Sequence, residues 1–226
     1  METSVQNCQK QPLKDAMLLP CFYNAPISWY SLFYHTSEAV DIEICDHYSK
    51  QTYRNRCRIA GANGPIDLII PVIKKHGSKV LMKDVRIDHD SPWQKIHWRG
   101  IMSAYASSPY FEFISDSYAP KYAQKYSFLY DLNLDLIATT SDLLNLSKEF
   151  RTSAEFSKQA ASSAILSSIH PKRDFSYPGF SFKPVKYHQV FFDRYAFVED
   201  LSILDLLFNE GPNSAAILSS SLINTE

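Results

Sequence analysis

YRNRCRIAGANGPIDLIIPVI, residues 53–73, is the stretch on which the fold turns. Tyr53–Ile59 alternates, Asn63-Gly64 is a preferred hairpin dipeptide, and Ile66–Ile73 is an apolar run. Together they predict an antiparallel hairpin. Upstream, Val40–Cys45 puts Val40, Ile42 and Ile44 inward and Asp41 and Glu43 outward, the pattern of a half-buried strand. Met17–Tyr23 reads as a short apolar strand with Pro20 tolerated at its start or edge. Ile27–Tyr34 turns helical, with Trp29 and Phe33 four apart on one face, and Val80–Ile87 adds a further strand. Such a succession of strands predicts an antiparallel β-meander in the N-terminal half.

Downstream, helices take over. Trp93–Tyr105 has apolar residues on nearly every face and is expected as a buried helix. A longer helix is predicted over Tyr122–Leu146, where Leu129, Leu132, Leu136, Leu143 and Leu144 recur at helical spacing. Residues 152–168 are Ser/Ala-rich, a mobile connection or weak helix, and 170–186 read as irregular coil. Val185–Phe192 reads as a strand, and Leu201–Phe208 as a short helix stopped by Gly211-Pro212. The fold class is therefore α+β: a mixed, mostly antiparallel sheet packed by helices from the middle and C-terminal parts. Residues 17–213 are expected to form one domain, with a polar segment at 1–16 and a Ser-rich mobile tail at 214–226.

Composition narrows the function classes. With 23 Lys+Arg against 24 Asp+Glu, the 226-residue chain lacks the global positive field of a non-specific nucleic-acid binder, so no nucleic acid is expected as a partner. Residues 1–16 lack a secretory apolar stretch, and Pro20, Asn24 and Pro26 interrupt the first apolar run. A cytoplasmic protein without an integral membrane segment is the expectation. Cys21 and Cys45 sit in apolar surroundings and are expected to pack rather than react. No C-x-x-C, H-E-x-x-H or Gly-rich phosphate loop is present, so neither a metal nor a cofactor is predicted.

The sharpest chemical feature lies in the opening stretch. On a strand Arg54, Arg56 and Arg58 share one face, and their guanidinium forks match carboxylates and phosphates. Two readings stand side by side: an anion cradle for a nucleotide, sugar phosphate or carboxylate, or ion pairs with Asp41, Glu43 and Asp84. Asn55 falls on the opposite face with Tyr53, as a structural pin or a ligand contact. Asp46, His47 and Lys50 occupy the turn feeding this strand. His97 shares a helix face with Trp93, Ile101 and Tyr105, where it is a core histidine or a general base, and His188 carries the same ambiguity. Asp205 and Asn209 are four apart on one helix, and Ser202-x-x-Asp205 has capping-box spacing. The 31 aromatics concentrate in FYNAPISWYSLFY and YFEFISDSYAPKYAQKYSFLY, which are expected to be mainly core.

Several segments together resemble the WbqC-like protein family, in the form found in Bacteroidetes-type bacteria. They are Pro26-x-Ser28-Trp29-Tyr30, KQTYRNRCRIAGANGP at 50–65, WQKIHWR at 93–99 with SPYFE at 108–112, YSFLYDLNLDL at 126–136 and LSILDLLFNEGP at 201–212. The resemblance implies a role in O-antigen or other surface-polysaccharide biosynthesis, with a glycine-transferring activity proposed for some members. It carries over Lys50, Tyr53, Arg54, Asn55, Arg56, Asp205 and Asn209 as substrate-binding residues and His97 as catalytic. Relatives commonly show His at the position of Cys45 and Asn at that of His47. A two-residue move along a strand keeps the same face, which makes His47 a second catalytic candidate. The expected activity is transfer of an aminoacyl or acyl group from an activated donor to a nucleotide sugar or glycan precursor. A non-catalytic binding or scaffold protein of the glycan machinery is the alternative.

Overall fold

The structure, a computed structural model, describes residues 17–36, 40–73, 79–146, 149–153 and 167–225. Strand β1 (Met17–Pro20) leads through helix α1 (Ile27–His35) to strand β2 (Val40–Glu43), and the two strands pair in parallel, Met17 opposite Val40 and Pro20 opposite Glu43. A helical crossover is what parallel pairing demands, so the strand before α1 cannot join the one after it in a meander. Residues Ile27–Phe33 of α1 are buried throughout, Trp29 stacks on Phe33 at 5.3 Å, and the Trp29 indole N–H donates to the Pro20 carbonyl at 3.0 Å. Helix and sheet are thereby locked together.

The hairpin forms as its sequence predicts, but shorter. Strand β3 (Arg56–Ile59) pairs antiparallel with β4 (Ile66–Ile69), Arg56 opposite Ile69 and Ile59 opposite Ile66. Gly64 takes φ +113° at the turn, a conformation in which a side chain would be strained. Tyr53–Asn55 is not strand: Tyr23 N–H donates to the Tyr53 carbonyl and Ile70 N–H to that of Asn55. The expected strand at Val80–Ile87 is broken into a 3₁₀ turn (Met82–Asp84) and isolated bridges, Val72 with Ile87 and Arg86 with Phe128.

Helix α2 (Trp93–Tyr105) has the expected bounds but is only half-buried: Trp93, His97, Ile101, Ala104 and Tyr105 face inward, while Ile96 and Met102 are exposed. The single helix expected over Tyr122–Leu146 is two, α3 (Phe111–Ala123) and α4 (Leu129–Leu143). Between them the chain turns extended to serve as a partner: Ile87 N–H donates to the Ser127 carbonyl, Leu129 N–H to that of Val85. Strand β5 (Phe150–Thr152) then joins β2 in parallel, giving the order β1-β2-β5 with β2 central. Most of the segment 152–168 lies outside the described residues.

The C-terminal part runs through β6 (Phe180–Phe182), α5 (Phe192–Tyr195), α6 (Ile203–Glu210), α7 (Ser214–Ser220) and β7 (Leu222–Asn224). Val185–Phe192, read as strand, is irregular up to Phe191 and enters α5 at Phe192. Residues from Ser214, read as a mobile tail, instead form α7 with Ile217 and Leu218 buried and then β7, which pairs antiparallel with β6. The class is α+β, with one small parallel sheet and two antiparallel pairs among the described residues. The first aromatic cluster is core, with Phe22, Tyr23, Trp29, Tyr30 and Phe33 fully buried. The second is divided, since Tyr118 is buried but Phe113 is 77% exposed.

Candidate functional site

In open sheets with parallel strands, ligands gather beyond the carboxyl ends, where the chain leaves the ladder and loops are free to diverge. Here that edge is formed by residues 21–24 after β1, 44–55 after β2 and Ser153 after β5. Glu43, the last residue of β2, is 1% exposed. The alternation of Val40–Cys45 places it outward, but a central strand of a covered parallel sheet is buried on both faces. Its Oε1 accepts from Cys45 N–H at 2.6 Å and from the Ser153 hydroxyl at 2.8 Å. Its Oε2 is buried with no hydrogen-bond partner. Burial raises the Glu43 pKa above the usual carboxylate value, with the hydrogen bonds from Ser153 and Cys45 opposing and the charge of Asp46 adding to the rise. A carboxyl group half-satisfied in this way is suited to taking up and returning a proton.

Beside it, Asp46 and Arg54 form a buried ion pair. Burial still raises the Asp46 pKa, against the pull of Arg54, and its Oδ1 has no partner. Asn133, fully buried on α4, clamps the two loops together: its Nδ2 donates to the Arg54 carbonyl at 2.9 Å and to that of Cys21 at 3.4 Å.

The row of three arginines does not form as expected. Arg54 precedes β3 and turns inward to Asp46. Arg56 and Arg58 both reach Asp67 on β4, at 3.2 and 3.0 Å. The ion-pair reading holds for these two, with a different partner from those expected. Asp41 pairs instead with Arg151 at 2.6 Å, and Glu43 is tied to Ser153. Arg56 keeps a buried Nε without a partner.

His97 lies elsewhere, in the core. It is 4% exposed, its Nδ1 is 2.9 Å from the Tyr23 hydroxyl, and its ring packs edge-on against Trp93. Burial lowers its pKa to about 4, partly opposed by the Ile69 backbone, so the ring is neutral and a weak base. The chain of bonds continues from Tyr23 to the Tyr122 hydroxyl, which accepts from Asn24. His47 is exposed at the sheet edge next to Asp46, whereas Cys45 is buried. Because the chain has left β2 there, the two positions do not share a face. Lys50 is exposed, Tyr53 is buried, and Asn55 donates to the Ile70 carbonyl at 2.8 Å with its Oδ1 unpartnered.

Asp205 and Asn209 sit in the core of α6. Ser202 caps the helix, accepting from Leu204 N–H at 3.3 Å, but the Asp205 carboxylate does not complete a capping box. Its Oδ2 accepts from the Tyr187 hydroxyl at 2.5 Å and from Gln189 at 3.0 Å, while Asn209 donates to the Asp205 carbonyl. Cys21, Cys45 and Cys57 are buried thiols, and burial raises all three, Cys21 to about 12. Among the described residues no group of three His, Cys, Asp or Glu is placed to hold a metal ion, and no helix is long and apolar enough to cross a membrane.

Glu43 and Ser153 escaped the sequence reading, although a β-α-β spacing from Met17 to Glu43 is the signal that would have made β2 parallel. Residues 29–177, from α1 to the segment after β5 and including Glu43, Arg54 and His97, match the WbqC-like protein family. The chain belongs to that family. No curated protein and no solved structure matches it.

Proposed function

We propose that this protein is a cytoplasmic transferase of O-antigen or other surface-polysaccharide biosynthesis, moving an aminoacyl or acyl group onto a sugar. Membership of the WbqC-like family supports the polysaccharide setting. The observation that carries the chemistry is Glu43, buried at the carboxyl edge of the parallel sheet with one oxygen held by Ser153 and Cys45 and the other unpartnered. In the ionised form Oε2 takes the proton of the sugar hydroxyl or amine as that atom attacks the donor's carbonyl carbon. The tetrahedral intermediate collapses by breaking the bond to the leaving group, which receives the proton from Glu43. In this reading His47, exposed beside this edge, orients the acceptor, and Arg54, buried against Asp46, lends positive potential to an anionic group without touching it.

The test is Glu43→Gln and, separately, His97→Gln, expressed in a bacterium deleted for the wild-type gene, with surface-glycan composition measured by mass spectrometry. Loss of an acyl or aminoacyl substituent in Glu43→Gln, with retention in a folded His97→Gln, is expected. Unchanged glycan in a folded Glu43→Gln refutes the assignment. The second reading, a non-catalytic binding protein, draws on the neutralisation of Arg56 and Arg58 by Asp67 and the burial of neutral His97. Thermal stabilisation by a nucleotide sugar without turnover would favour it.

A further inference from the structure

Residues 168–177 contribute a feature that the transferase reading does not use. Ser168 and Ile169 are buried and anchor the segment, Ser176 N–H returns to the Ser168 carbonyl at 3.2 Å, and the Tyr177 hydroxyl donates to Leu18 of β1. The turn they hold, His170–Arg173, is closed by Arg173 N–H donating to the His170 carbonyl at 3.2 Å. Lys172 Nζ crosses to Gln51 Oε1 at 2.8 Å, joining this turn to the loop that carries Asp46 and Arg54. The charges of Arg173, Lys172, Arg54 and Arg56 all reach His170 and, after burial, hold its imidazole below the ordinary value.

These cations are under-answered. Asp46 serves Arg54, and one carboxylate, Asp67, serves both Arg56 and Arg58. Among the described residues no carboxylate pairs with Lys172 or Arg173, and the contact of Lys172 is a neutral amide. The buried Arg56 Nε–H also lacks an acceptor. In a chain of net charge −1 this surplus is local, and like charges held together stabilise a bound anion. His170 Nδ1 accepts Lys172 N–H at 3.1 Å, so the neutral ring carries its proton on Nε2 as a further donor.

We propose that the turn His170–Arg173 and the loop Asp46–Arg56 form the two walls of a diphosphate site, reading the group shared by nucleotide-activated sugars and prenyl-linked glycan precursors. The proposal deepens the transferase reading by naming its substrate class, and rests on it only for the reacting end. Two cations without a carboxylate among the described residues, Lys172 and Arg173, beside Arg56, which shares one, and a donor imidazole exceed what a single carboxylate would neutralise, whereas a diphosphate offers spread charge and many acceptor oxygens.

The experiment is an NMR titration of the His170 ring against pH, with and without inorganic pyrophosphate, alongside calorimetric binding. A bound anion favours the imidazolium, so pyrophosphate is expected to raise the His170 pKa and to bind at least tenfold tighter than orthophosphate. The exposed pair Lys172→Ala/Arg173→Ala should weaken binding at least tenfold with the thermal transition unchanged. An unmoved His170 titration, equal affinity for the two anions, or full binding by the double variant overturns the site. Tighter binding of uridine diphosphate or of farnesyl diphosphate than of pyrophosphate supports the site and assigns the source. Pyrophosphate binding with unchanged glycan in Glu43→Gln keeps this site and removes the transferase reading; the opposite pair of results does the reverse.

Discussion

Asp205→Asn gives the most direct access to the polar core of the C-terminal half. Asp205 is fully buried, and the groups facing its carboxylate are the Tyr187 hydroxyl, Gln189 and Tyr105, none of which is cationic. Burial raises its pKa from 3.8 to about 6, with the hydrogen bonds opposing. The folded protein therefore holds a proton more tightly than the unfolded chain. Below the unfolded value both states are protonated and the carboxyl group costs nothing; above about 6 both are ionised and the full penalty applies. At about 1.4 kcal/mol per pH unit, a rise of roughly two units removes about 3 kcal/mol of stability between pH 4 and 7. Asparagine keeps the shape and the acceptor for Tyr187 but cannot ionise. Urea denaturation of both proteins at pH 4, 5, 6 and 7 isolates the effect, because every other titrating group cancels in the difference. The variant should gain about 3 kcal/mol relative to wild type across that range. A flat difference would refute the burial argument.

Three further outcomes follow from the packing. Arg54→Met strands the Asp46 carboxylate and should cost about 3–5 kcal/mol by urea denaturation, most of it recovered by adding Asp46→Leu. Gly211 takes φ +49°, and a Cβ there would lie 2.4 Å from the Tyr110 ring. Gly211→Ala should therefore lose about 1–3 kcal/mol, read as a lowered thermal midpoint. Tyr23→Phe removes the hydroxyl shared by His97 and Tyr122, leaving buried groups unsatisfied. The expected cost is about 1–3 kcal/mol by denaturant titration, with the protein still folded.

What could be foreseen from sequence was local. The Asn63-Gly64 turn and the inward face of α2 depend on residues a few positions apart and formed as patterned, and Ser202 caps α6 although Asp205 does not close the box. What escaped depends on distant partners. Glu43 looked solvent-facing because nothing near it announces β5 or the Ser153 hydroxyl just after it, 110 residues downstream. Arg54 looked like part of a strand because its spacing from Arg56 is right, yet bonds from Tyr23 and Asn133 pull that segment out of the ladder. The Ser-rich composition after Ser214 suggested fraying and concealed the two apolar side chains, Ile217 and Leu218, that α7 buries.

The placement of β5 also sets an order of events. β1 and β2 are linked by one helix, and β3 to β4 by a short turn, so both pairings close small loops and form early. The docking of Phe150–Thr152 on β2 closes a much longer one, and the turn at His170–Arg173 comes later still in the chain. During synthesis Glu43 lacks its serine until Ser153 arrives, and α1 lacks its covering partners until the chain reaches α6, where Ile27 N–H donates to the Leu201 carbonyl and Ile203 N–H to that of Ala25. A nascent chain that ends before Ser153 would hold its first strand pairings while the carboxylate at the end of β2 stood without the hydroxyl that answers it.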